Sequence, residues 1–450
     1  MSISVIGLGP LGAVHAACMA DLGHQVVAID TSMPERAQDL AAGRTPFYEP
    51  GLEELLAKVM PTGRLRFATD YAAAADADVH FVCVGTPQKH GEYAADLTWV
   101  DATIDGLAPH LARETLVVGK STVPVGTAAR LSRRLRQLAP AGTGVHLVWN
   151  PEFLREGYAV QDTIAPDRIV YGVSEAHAWE QPGAAAAADV ARLDEVYAAP
   201  LASGIPRLVT DYQTAELVKA AANSFLATKI SFINAMSEVC EAADADVIAL
   251  ADAIGIDDRI GRKFLRAGIG FGGGCLPKDI RAFMARAGEL GADQALTFLK
   301  EVDAINMRRR ARMVDLAREE CGGSFVGKRI AALGAAFKPY SDDIRDSPAL
   351  YIARGIQQGG ATVTVTDPKA LTNAAKTFPE LTYTDTIDEA CAGADVVLHL
   401  TGWPQYRDID PAHLGQLVHH KVIIDGFNNL DPHRWRAAGW TFRALGRPHL

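Results

Sequence analysis

The chain has 450 residues and a formal net charge of -10, and 48% of its residues are hydrophobic. This length predicts two or three domains, and the apolar content excludes an intrinsically disordered chain. The acidic balance argues against nucleic acid or an anionic membrane as the main partner, but leaves an anionic small molecule open. The chain begins without a basic segment followed by an apolar stretch, and no apolar run could span a bilayer, so a cytoplasmic protein is predicted.

The six cysteines are scattered, and none belongs to a C-x-x-C pair. This spacing predicts neither a metal site nor a disulfide framework. Cys18, Cys83 and Cys240 stand in apolar runs, where a cysteine is typically a small buried hydrophobe. Cys275 differs because it follows a polar, glycine-rich stretch.

The first predicted elements are a strand at residues 2–6, a helix at 13–22 and a second strand at 25–29 that ends at Asp30. The turn after the first strand has the G-x-G-x-x-G spacing of a dinucleotide site. Its predicted cofactor contacts are Gly7, Gly9, Leu11 and Gly12. The Asp30 carboxylate can accept both ribose hydroxyls and would repel a 2′-phosphate, so NAD is predicted rather than NADP. An ordinary tight turn is the alternative.

Three further strands are predicted at residues 78–84, 116–119 and 145–149, and each runs into a polar turn. Ligands of parallel sheets lie beyond the carboxyl ends of the strands, so these turns are expected to face the cofactor. The predicted contacts there are Gly85, Thr86, Pro87, Ser121 and Thr122.

The C-terminal third repeats this pattern, with strands predicted at residues 329–333, 361–366, 394–400 and 421–425. Residues 334–338 contain one glycine followed by larger side chains and a cation, and so lack the glycine spacing of a dinucleotide site. This domain is therefore expected to bind a phosphate compound other than a dinucleotide.

Residues 214–243 lack proline and glycine and predict one long helix, apolar on most of its circumference and therefore buried. It suits a domain connector and a dimer interface. A surface connection followed by an alanine-rich helix is predicted around residues 181–188. The fold class is therefore α/β, with two Rossmann-like doubly wound parallel-sheet domains joined by a long central helix and a helical dimerisation domain. The predicted domains are residues 1–200, 201–305 and 306–450.

Lys219 and Asn223 lie four residues apart on the long helix and face one direction. A buried lysine needs a partner, so we expect a cation and an amide directed at one oxygen. A lysine that extends to solvent is the alternative.

Residues 268–274 contain five glycines and precede Cys275. Pro277 and Asp279 suit the first turn of a helix, which places Cys275 near a helix N-terminus with Lys278 close in sequence. Both effects favour a nucleophilic thiolate. The glycines are expected to let a ligand lie against the backbone.

Glu152 and Glu156 follow a strand of the first sheet, and one of them could serve as a general base for water, a solvated loop being the alternative. A thiol beside NAD indicates more than alcohol oxidation. The thiol can capture an aldehyde as a thiohemiacetal. The thiohemiacetal then loses a second hydride to give a thioester, and water hydrolyses the thioester to release an acid.

The sequence resembles the UDP-glucose/GDP-mannose dehydrogenase family over nearly its whole length. The motifs that carry the resemblance are residues 7–12, 45–51 (TPFYEPG), 84–87 (VGTP), 121–127 (STVPVGT), 150–157, 215–219 (AELVK), 270–279, 336–339 (AFKP) and 342–348.

The resemblance implies roles for individual residues. Cys275 would be the nucleophile, Lys219, Asn223 and Asp279 would orient water and stabilise the oxyanion, and Thr122 and Glu152 would transfer protons. Further cofactor contacts would be Glu156, Lys278 and Arg345. Arg259 would reach the substrate of a partner subunit in a homodimer. The remaining substrate contacts would be Phe153, Leu154, Arg155, Lys219, Asn223, Phe264, Phe271, Gly272, Gly273, Phe337 and Lys338.

Within the family, residues 222–230 and 259–264 follow the UDP-glucose pattern, and the expected reaction is oxidation of UDP-glucose to UDP-glucuronate. Leu276 instead matches GDP-mannose dehydrogenases, and Phe427 stands where relatives often carry arginine. A GDP-mannose enzyme, another nucleotide-sugar dehydrogenase, a β-hydroxyacid-type dehydrogenase and an inactive NAD or nucleotide sensor are the alternatives.

Overall fold

The computed structural model describes residues 1–174 and 183–448. Within them, the first sheet has eight strands in the order β3-β2-β1-β4-β5-β6-β7-β8. The strands are β1 (Ser2–Ile6), β2 (Gln25–Ile29), β3 (Leu65–Ala68), β4 (Val79–Val82), β5 (Thr115–Gly119), β6 (Val145–Trp149), β7 (Ile169–Val173) and β8 (Arg207–Asp211). The first six strands have the order of a dinucleotide-binding domain, as predicted.

Side chains of alternate residues leave the two faces of this sheet and enter two separate cores. In β1, Ile3 and Val5 pack on one face, and Ile6 packs on the other. Both faces are covered, so these strands carry buried apolar residues on both faces rather than on one face only.

One edge of the first sheet departs from the parallel arrangement of its other strands. β7 pairs with β6 in the antiparallel direction, through Trp149 and Gly172, and β8 then runs parallel to β7. Periodicity alone cannot reveal strand direction, because a short buried strand has the same apolar pattern in either direction.

The second sheet has six parallel strands in the order β11-β10-β9-β12-β13-β14. They are β9 (Arg329–Leu333), β10 (Thr362–Thr366), β11 (Thr382–Tyr383), β12 (Val396–His399), β13 (Val422–Asp425) and β14 (Thr441–Ala444). This order repeats that of the first six strands, so the prediction of two Rossmann-like sheets is confirmed.

Helices connect the strands of both sheets and link the two sheets. The helices are α1 (Pro10–Asp21), α2 (Pro34–Ala41), α3 (Leu52–Val59), α4 (Thr98–Leu107), α5 (Thr127–Leu138), α6 (Ala159–Ile164), α7 (Ala184–Val196), α8 (Ala198–Ala202), α9 (Tyr212–Ala243), α10 (Val247–Gly255), α11 (Leu276–Glu289), α12 (Phe298–Glu320), α13 (Pro348–Gln358), α14 (Leu371–Thr377), α15 (Ile387–Cys391), α16 (Pro404–Arg407), α17 (Pro411–Leu414) and α18 (Pro432–Ala437). None of the described helices combines the length and the apolar character that crossing a membrane requires.

The long central helix is confirmed as α9, but its predicted burial is only partly correct. Phe225, Phe232 and Val239 are 66%, 49% and 56% exposed and recur every seven residues. The predicted alanine-rich helix is α7, and residues 181 and 182 of the predicted surface connection lie outside the described residues.

The chain divides into two compact units. The first unit contains residues 1–222 and 281–290, and the second contains residues 223–280 and 291–450. Two of the three divisions fall within α9 and within α11, so both helices contribute residues to both units, and the third follows α11. The three-domain division at residues 200 and 305 remains a prediction.

Candidate active site

The glycine-rich turn between β1 and α1 is tight and leaves room at the helix N-terminus. Gly7 has a φ of +92°, and a Cβ on Gly12 would lie 1.8 Å from the Gly7 carbonyl oxygen, so both positions require glycine. A Cβ on Gly9, which caps α1, would meet no described atom within 4 Å. This open space beside the N-terminal amides of α1 fits the pyrophosphate of a dinucleotide. Leu11, near the start of α1, packs against the core that contains Ile3 and Val5.

Asp30 follows β2 and is only 2% exposed. One carboxylate oxygen accepts from the Leu8 amide at 3.0 Å, and the other accepts from the amides of Ser32 and Met33 at 3.1 and 2.9 Å and from the Ser32 hydroxyl at 2.9 Å. Asp30 therefore connects the glycine-rich turn to the start of α2. Its predicted bonds to ribose hydroxyls would add to these contacts.

The turns after β4 and β5 bind each other through hydroxyl groups. Thr86 donates to the Thr122 carbonyl at 2.7 Å, and Ser121 donates to the Val84 carbonyl at 2.6 Å. A Cβ on Gly85 would meet no described atom within 4 Å. Pro87 accepts from the Asp96 amide at 2.7 Å, which fixes the loop that follows. The predicted cofactor contacts at these strand ends thus belong to two turns that hydrogen-bond to each other.

Lys219 is 5% exposed, and its amine lies 2.9 Å from a Glu152 carboxylate oxygen. The other Glu152 oxygen accepts from the Leu154 amide at 2.8 Å. The lysine also lies 5.7 Å from the centre of the Phe153 ring. The alternative of a lysine extending to solvent is wrong, because the cation is buried against a carboxylate and an aromatic ring.

The residues after Glu152 are held in different ways. The Arg155 side chain is 58% exposed and pairs with Asp162 at 2.7 Å, so its predicted contact with substrate would compete with this ion pair. Glu156 is half-buried. Glu49 accepts from the amides of Gly157 and Ala159, both at 2.8 Å. A buried carboxylate from another part of the chain therefore fixes the end of this turn.

Lys120, which no predicted motif singles out, joins the turns after β5 and β6. Its buried amine donates to the Asn150 side-chain oxygen at 3.0 Å and to the Tyr197 hydroxyl at 3.3 Å, and Tyr197 donates to the same Asn150 oxygen at 2.8 Å. Burial lowers the pKa of Lys120 to about 8. Because Lys120 precedes Ser121 and Asn150 precedes the Glu152 turn, this network holds the two turns together. Its only sequence signal was a lysine at the carboxyl end of a buried strand.

Glu216 is a second residue that the sequence did not single out. It is 2% exposed on α9, and its two carboxylate oxygens accept from the amides of Gly126 and Ala128 at 2.7 and 2.6 Å. Burial raises its pKa to about 7, against the opposing effect of these backbone hydrogen bonds. Glu216 therefore caps α5 and fixes the end of the segment that contains Thr122.

In the second unit, Asn223 and Asp279 form a buried pair. The Asn223 amide donates to one Asp279 oxygen at 2.6 Å, and the Lys278 amine lies 2.5 Å from the other. Asn223 and Asp279 are 7% and 3% exposed. Lys278 was predicted to contact the cofactor, and the structure pairs it with Asp279.

Cys275 is an exposed thiol directly before the first residue of α11, as predicted. Its carbonyl accepts from the Asp279 amide at 2.9 Å, which begins the helix. The other cysteines are buried, and burial raises the pKa of Cys18, Cys83 and Cys391 to about 12. Exposure at a helix N-terminus distinguishes Cys275 from these unreactive thiols.

The glycines before Cys275 have a structural reason that the sequence did not reveal. A Cβ on Gly272 would lie 2.2 Å from the Asp346 carbonyl oxygen, and a Cβ on Gly274 would lie 2.3 Å from the Arg345 guanidinium carbon. On Gly273, which has a φ of +83°, it would lie 2.7 Å from the Phe337 ring. The glycines thus allow residues 272–274 to pack directly against residues 337–348.

Two buried residues of α12 hold the same loop. The Asn306 side chain accepts from the Phe271 amide at 2.7 Å and donates to the Phe271 carbonyl at 3.0 Å, and Arg310 donates to that carbonyl at 2.7 Å. Phe271 is 6% exposed. Neither α12 residue was predicted, because a polar side chain that bonds to a distant backbone has no local pattern.

The remaining predicted residues lie in the second unit. Arg259 is 89% exposed at its side chain and pairs with Asp257 at 2.6 Å. Phe264 is 40% exposed with a φ of +66°, which is rare for an aromatic residue. The Lys338 amine lies 5.4 Å from the centre of the Phe337 ring. The Arg345 side chain is 60% exposed and pairs with Asp343 at 2.6 Å.

Leu276 and Phe427, which depart from the UDP-glucose pattern, both lie in the second unit. Leu276 is the first residue of α11. The Phe427 amide donates to Asp425 at 2.9 Å, and its ring centre lies 6.1 Å from that of His399.

Comparison with known proteins assigns all three parts of the chain to one family. Residues 1–199 match the NAD binding domain of the UDP-glucose/GDP-mannose dehydrogenase family, residues 213–308 its central domain, and residues 331–432 its UDP binding domain.

Individual relatives agree with this assignment. The chain is 39% identical to UDP-glucose 6-dehydrogenase of Rhizobium meliloti (strain 1021), over 100% of both chains. The structure of a UDP-glucose dehydrogenase from Pyrobaculum islandicum is 37% identical, with a TM-score of 0.88 over 99% of this chain and 97% of that chain. The structure of UDP-D-ManNAc dehydrogenase from Pyrococcus horikoshii is 25% identical, with a TM-score of 0.84 over 100% of both chains. The chain belongs to the UDP-glucose/GDP-mannose dehydrogenase family.

Proposed function

We propose that this chain is a UDP-glucose 6-dehydrogenase. It oxidises the C6 alcohol of UDP-glucose to a carboxylate, consuming two NAD and one water and releasing UDP-glucuronate and two NADH. The observation that carries the proposal is the exposed Cys275 thiol at the N-terminus of α11, next to a loop of glycines. A dehydrogenase that stops at the aldehyde has no use for such a thiol, whereas oxidation to the acid needs a nucleophile that holds the aldehyde.

The covalent sequence balances in four steps. The alcohol loses a proton and a hydride to give the aldehyde. The Cys275 thiolate adds to the aldehyde carbon while the carbonyl oxygen takes up a proton, and the resulting thiohemiacetal then loses that proton and a second hydride to become a thioester. Water then attacks the thioester carbon, the C–S bond breaks, and the thiolate is regenerated with the acid. NAD supplies the hydride acceptor for both oxidations, and the glycine-rich turn with Asp30 would hold it.

In the first unit, Glu152 and Lys219 would manage protons. The Lys219 amine lies 2.9 Å from a Glu152 oxygen, and Glu152 would receive a proton through water, with Thr122 as a relay. Lys219 would stabilise negative charge on the substrate oxygen. The Lys120 and Glu216 contacts keep the turns that contain Thr122 and Glu152 in place.

In the second unit, Asn223 and Asp279 would orient the hydrolytic water and stabilise the oxyanion. Their 2.6 Å hydrogen bond and low exposure fix both side chains before substrate binds, which lowers the cost of reorganisation during the reaction. Phe264, Phe337 and Lys338 would contact the sugar nucleotide. Gly272 and Gly273 would present backbone to it.

Glucose is favoured over N-acetylmannosamine as the sugar of the UDP substrate by degree of similarity. Identity is 39% and 37% to the two proteins that act on UDP-glucose and 25% to the UDP-D-ManNAc dehydrogenase, at comparable coverage.

The test is a panel of UDP-glucose, GDP-mannose and UDP-N-acetyl sugars, read by NADH absorbance and by product mass. UDP-glucose should give two NADH per sugar and the acid. A stable aldehyde with one NADH would contradict the four-electron reaction, and preference for GDP-mannose would contradict the substrate. Cys275→Ala should abolish acid formation without weakening NAD binding.

We also propose a cytoplasmic homodimer. Phe225, Phe232 and Val239 form an exposed apolar stripe on α9 that a second copy would bury, and Arg259 is exposed enough to reach a partner's substrate. The six cysteines are thiols, as is usual in the cytoplasm. Phe225→Glu with Phe232→Glu should give monomers in light scattering, and dimers that survive both substitutions would contradict this interface.

A further inference from the structure

Asp395, His419 and His420 form a side-chain cluster that the proposed reaction does not use. Asp395 directly precedes β12, and the two histidines lie just before β13. These strands are parallel neighbours, so the cluster lies at the amino-terminal edge of the second sheet. Ligands of such sheets bind beyond the opposite, carboxyl-terminal edge, which separates the cluster from the expected nucleotide site.

The three side chains bring their ligand atoms together. One carboxylate oxygen and one ring nitrogen from each histidine all lie within 4.8 Å of one another. The same Asp395 oxygen is 2.9 Å from His419 Nδ1 and 3.7 Å from His420 Nε2. A tetrahedral zinc ion with ligands at about 2.0–2.1 Å requires ligand atoms roughly 3.3 Å apart, which lies between these two distances.

The backbone holds this arrangement. The amides of His419 and His420 both donate to the Ala394 carbonyl, at 2.8 and 3.2 Å, so the histidine loop is fixed beside Asp395. The second Asp395 oxygen accepts from the Arg329 amide at 2.8 Å, which turns the first oxygen toward the imidazoles. Such outer contacts orient the ligands of metal sites.

The imidazoles can adjust to an ion. The His419 and His420 side chains are 67% and 55% exposed, and their ring centres are 4.1 Å apart with 32° between the ring planes. Small rotations about the side-chain bonds would direct both nitrogens at one point. Their solvent exposure leaves a fourth position open to water.

We propose that Asp395, His419 and His420 bind a divalent transition-metal ion, with zinc as the best match to two imidazoles and one carboxylate. The ion ties the loop before β13 to the start of β12 and has no part in the dehydrogenase reaction. The sequence predicted no metal site because its cysteines lack metal-ligand spacing. Cysteine spacing carries no information about Asp395, His419 and His420.

The test is calorimetric titration of the full-length, untagged, chelator-treated protein with ZnCl₂. A Cys275→Ser background removes the exposed thiol as a competing ligand. We expect one ion per chain, and at least tenfold weaker binding in His419→Ala and in His420→Ala. His420→Ala keeps the His419–Asp395 pair, so lost affinity there reports on metal ligation rather than on that ion pair.

His413→Ala is the matched control. His413 pairs with Asp388 at 2.9 Å in the same unit, both side chains are more than half exposed, and neither belongs to the three-ligand cluster. It should leave zinc affinity unchanged. Cobalt should give the intense visible absorption of a tetrahedral site, lost in His419→Ala. The proposal is overturned if zinc does not bind saturably, if binding survives both histidine substitutions, or if His413→Ala weakens it equally.

Discussion

Gly272→Ala is the sharpest test of how the loop before Cys275 works. The added Cβ would lie 2.2 Å from the Asp346 carbonyl oxygen and 2.7 Å from Pro348 Cδ. The carbonyl belongs to backbone and the proline ring is rigid, so neither neighbour can move aside like the end of a flexible side chain. The loop itself must shift, and Cys275, three residues later, shifts with it.

The size of the effect follows from that distance. Ordinary contact begins near 3.4 Å, so the separation must grow by 3.4 − 2.2 = 1.2 Å. A displacement of about 1 Å at a reacting group can cost about a hundredfold in rate, equivalent to about 2.7 kcal/mol of transition-state stabilisation. We therefore expect kcat/KM for UDP-glucose to fall about a hundredfold. NAD affinity should fall much less, because the glycine-rich turn and Asp30 lie in the other unit.

The assay combines steady-state kinetics with NAD binding measured by fluorescence. Gly355→Ala is the control, since this helical glycine has only an ordinary 3.6 Å contact with Val314. It should retain activity and stabilise the protein by about 0.5–1 kcal/mol. Full activity in Gly272→Ala would refute the close approach, and an equal loss of NAD binding would show general misfolding.

Three further predictions concern buried polar groups. The pKa of Glu216 is raised from 4.5 to about 7, so the folded state binds a proton more tightly than the unfolded state. The free energy of unfolding should therefore fall by about 3 kcal/mol as pH rises through this window. Urea denaturation at pH 5 and pH 8 should show that Glu216→Gln lacks this fall, and an identical pH dependence in both proteins would contradict the prediction. Lys120→Met should lower kcat about tenfold. Stability should change little, because Tyr197 still donates to the Asn150 oxygen and a buried charge is removed. A fall of more than about 2 kcal/mol in the free energy of unfolding, measured in urea, would contradict this account. Asn306→Ala leaves the Phe271 amide without its acceptor and should cost about 1–3 kcal/mol and raise KM for UDP-glucose, whereas unchanged thermal unfolding would rule out that role.

The fold was predictable because its elements follow local rules. Apolar runs between polar turns marked the strands of both sheets, and the glycine spacing with Asp30 identified the first βαβ unit. The antiparallel β7 was missed, because strand direction depends on partners that a local pattern does not contain. The long helix was predicted to be apolar and to suit a dimer interface, but the sequence could not show that Phe225 and Phe232 are among its exposed residues, for a related reason. An apolar residue on a long helix looks the same whether its own chain or another molecule covers it.

The candidate site was predictable where chemistry depends on residue type in a loop. Cys275 stood out because glycines, a proline and an acid surround it. Lys120, Glu216 and Asn306 did not stand out, because each acts through a hydrogen bond to a residue distant in sequence. The same limit applies to the loop glycines, whose contacts with residues 337–348 no local spacing reveals.

The bonds made by Asp30 have a consequence for protein engineering. In dinucleotide enzymes the acidic residue after the second strand binds the ribose 2′-hydroxyl of NAD, whereas a nearby arginine accommodates the 2′-phosphate of NADP. Here that carboxylate accepts four hydrogen bonds while only 2% exposed, and Asp367 fills the equivalent role in the second sheet by accepting from Ala335 and Ala336. A redesign toward NADP at Asp30 would therefore remove a structural support together with the charge. It would need replacement acceptors for the Leu8, Ser32 and Met33 amides before any change in preference could be measured on a folded enzyme.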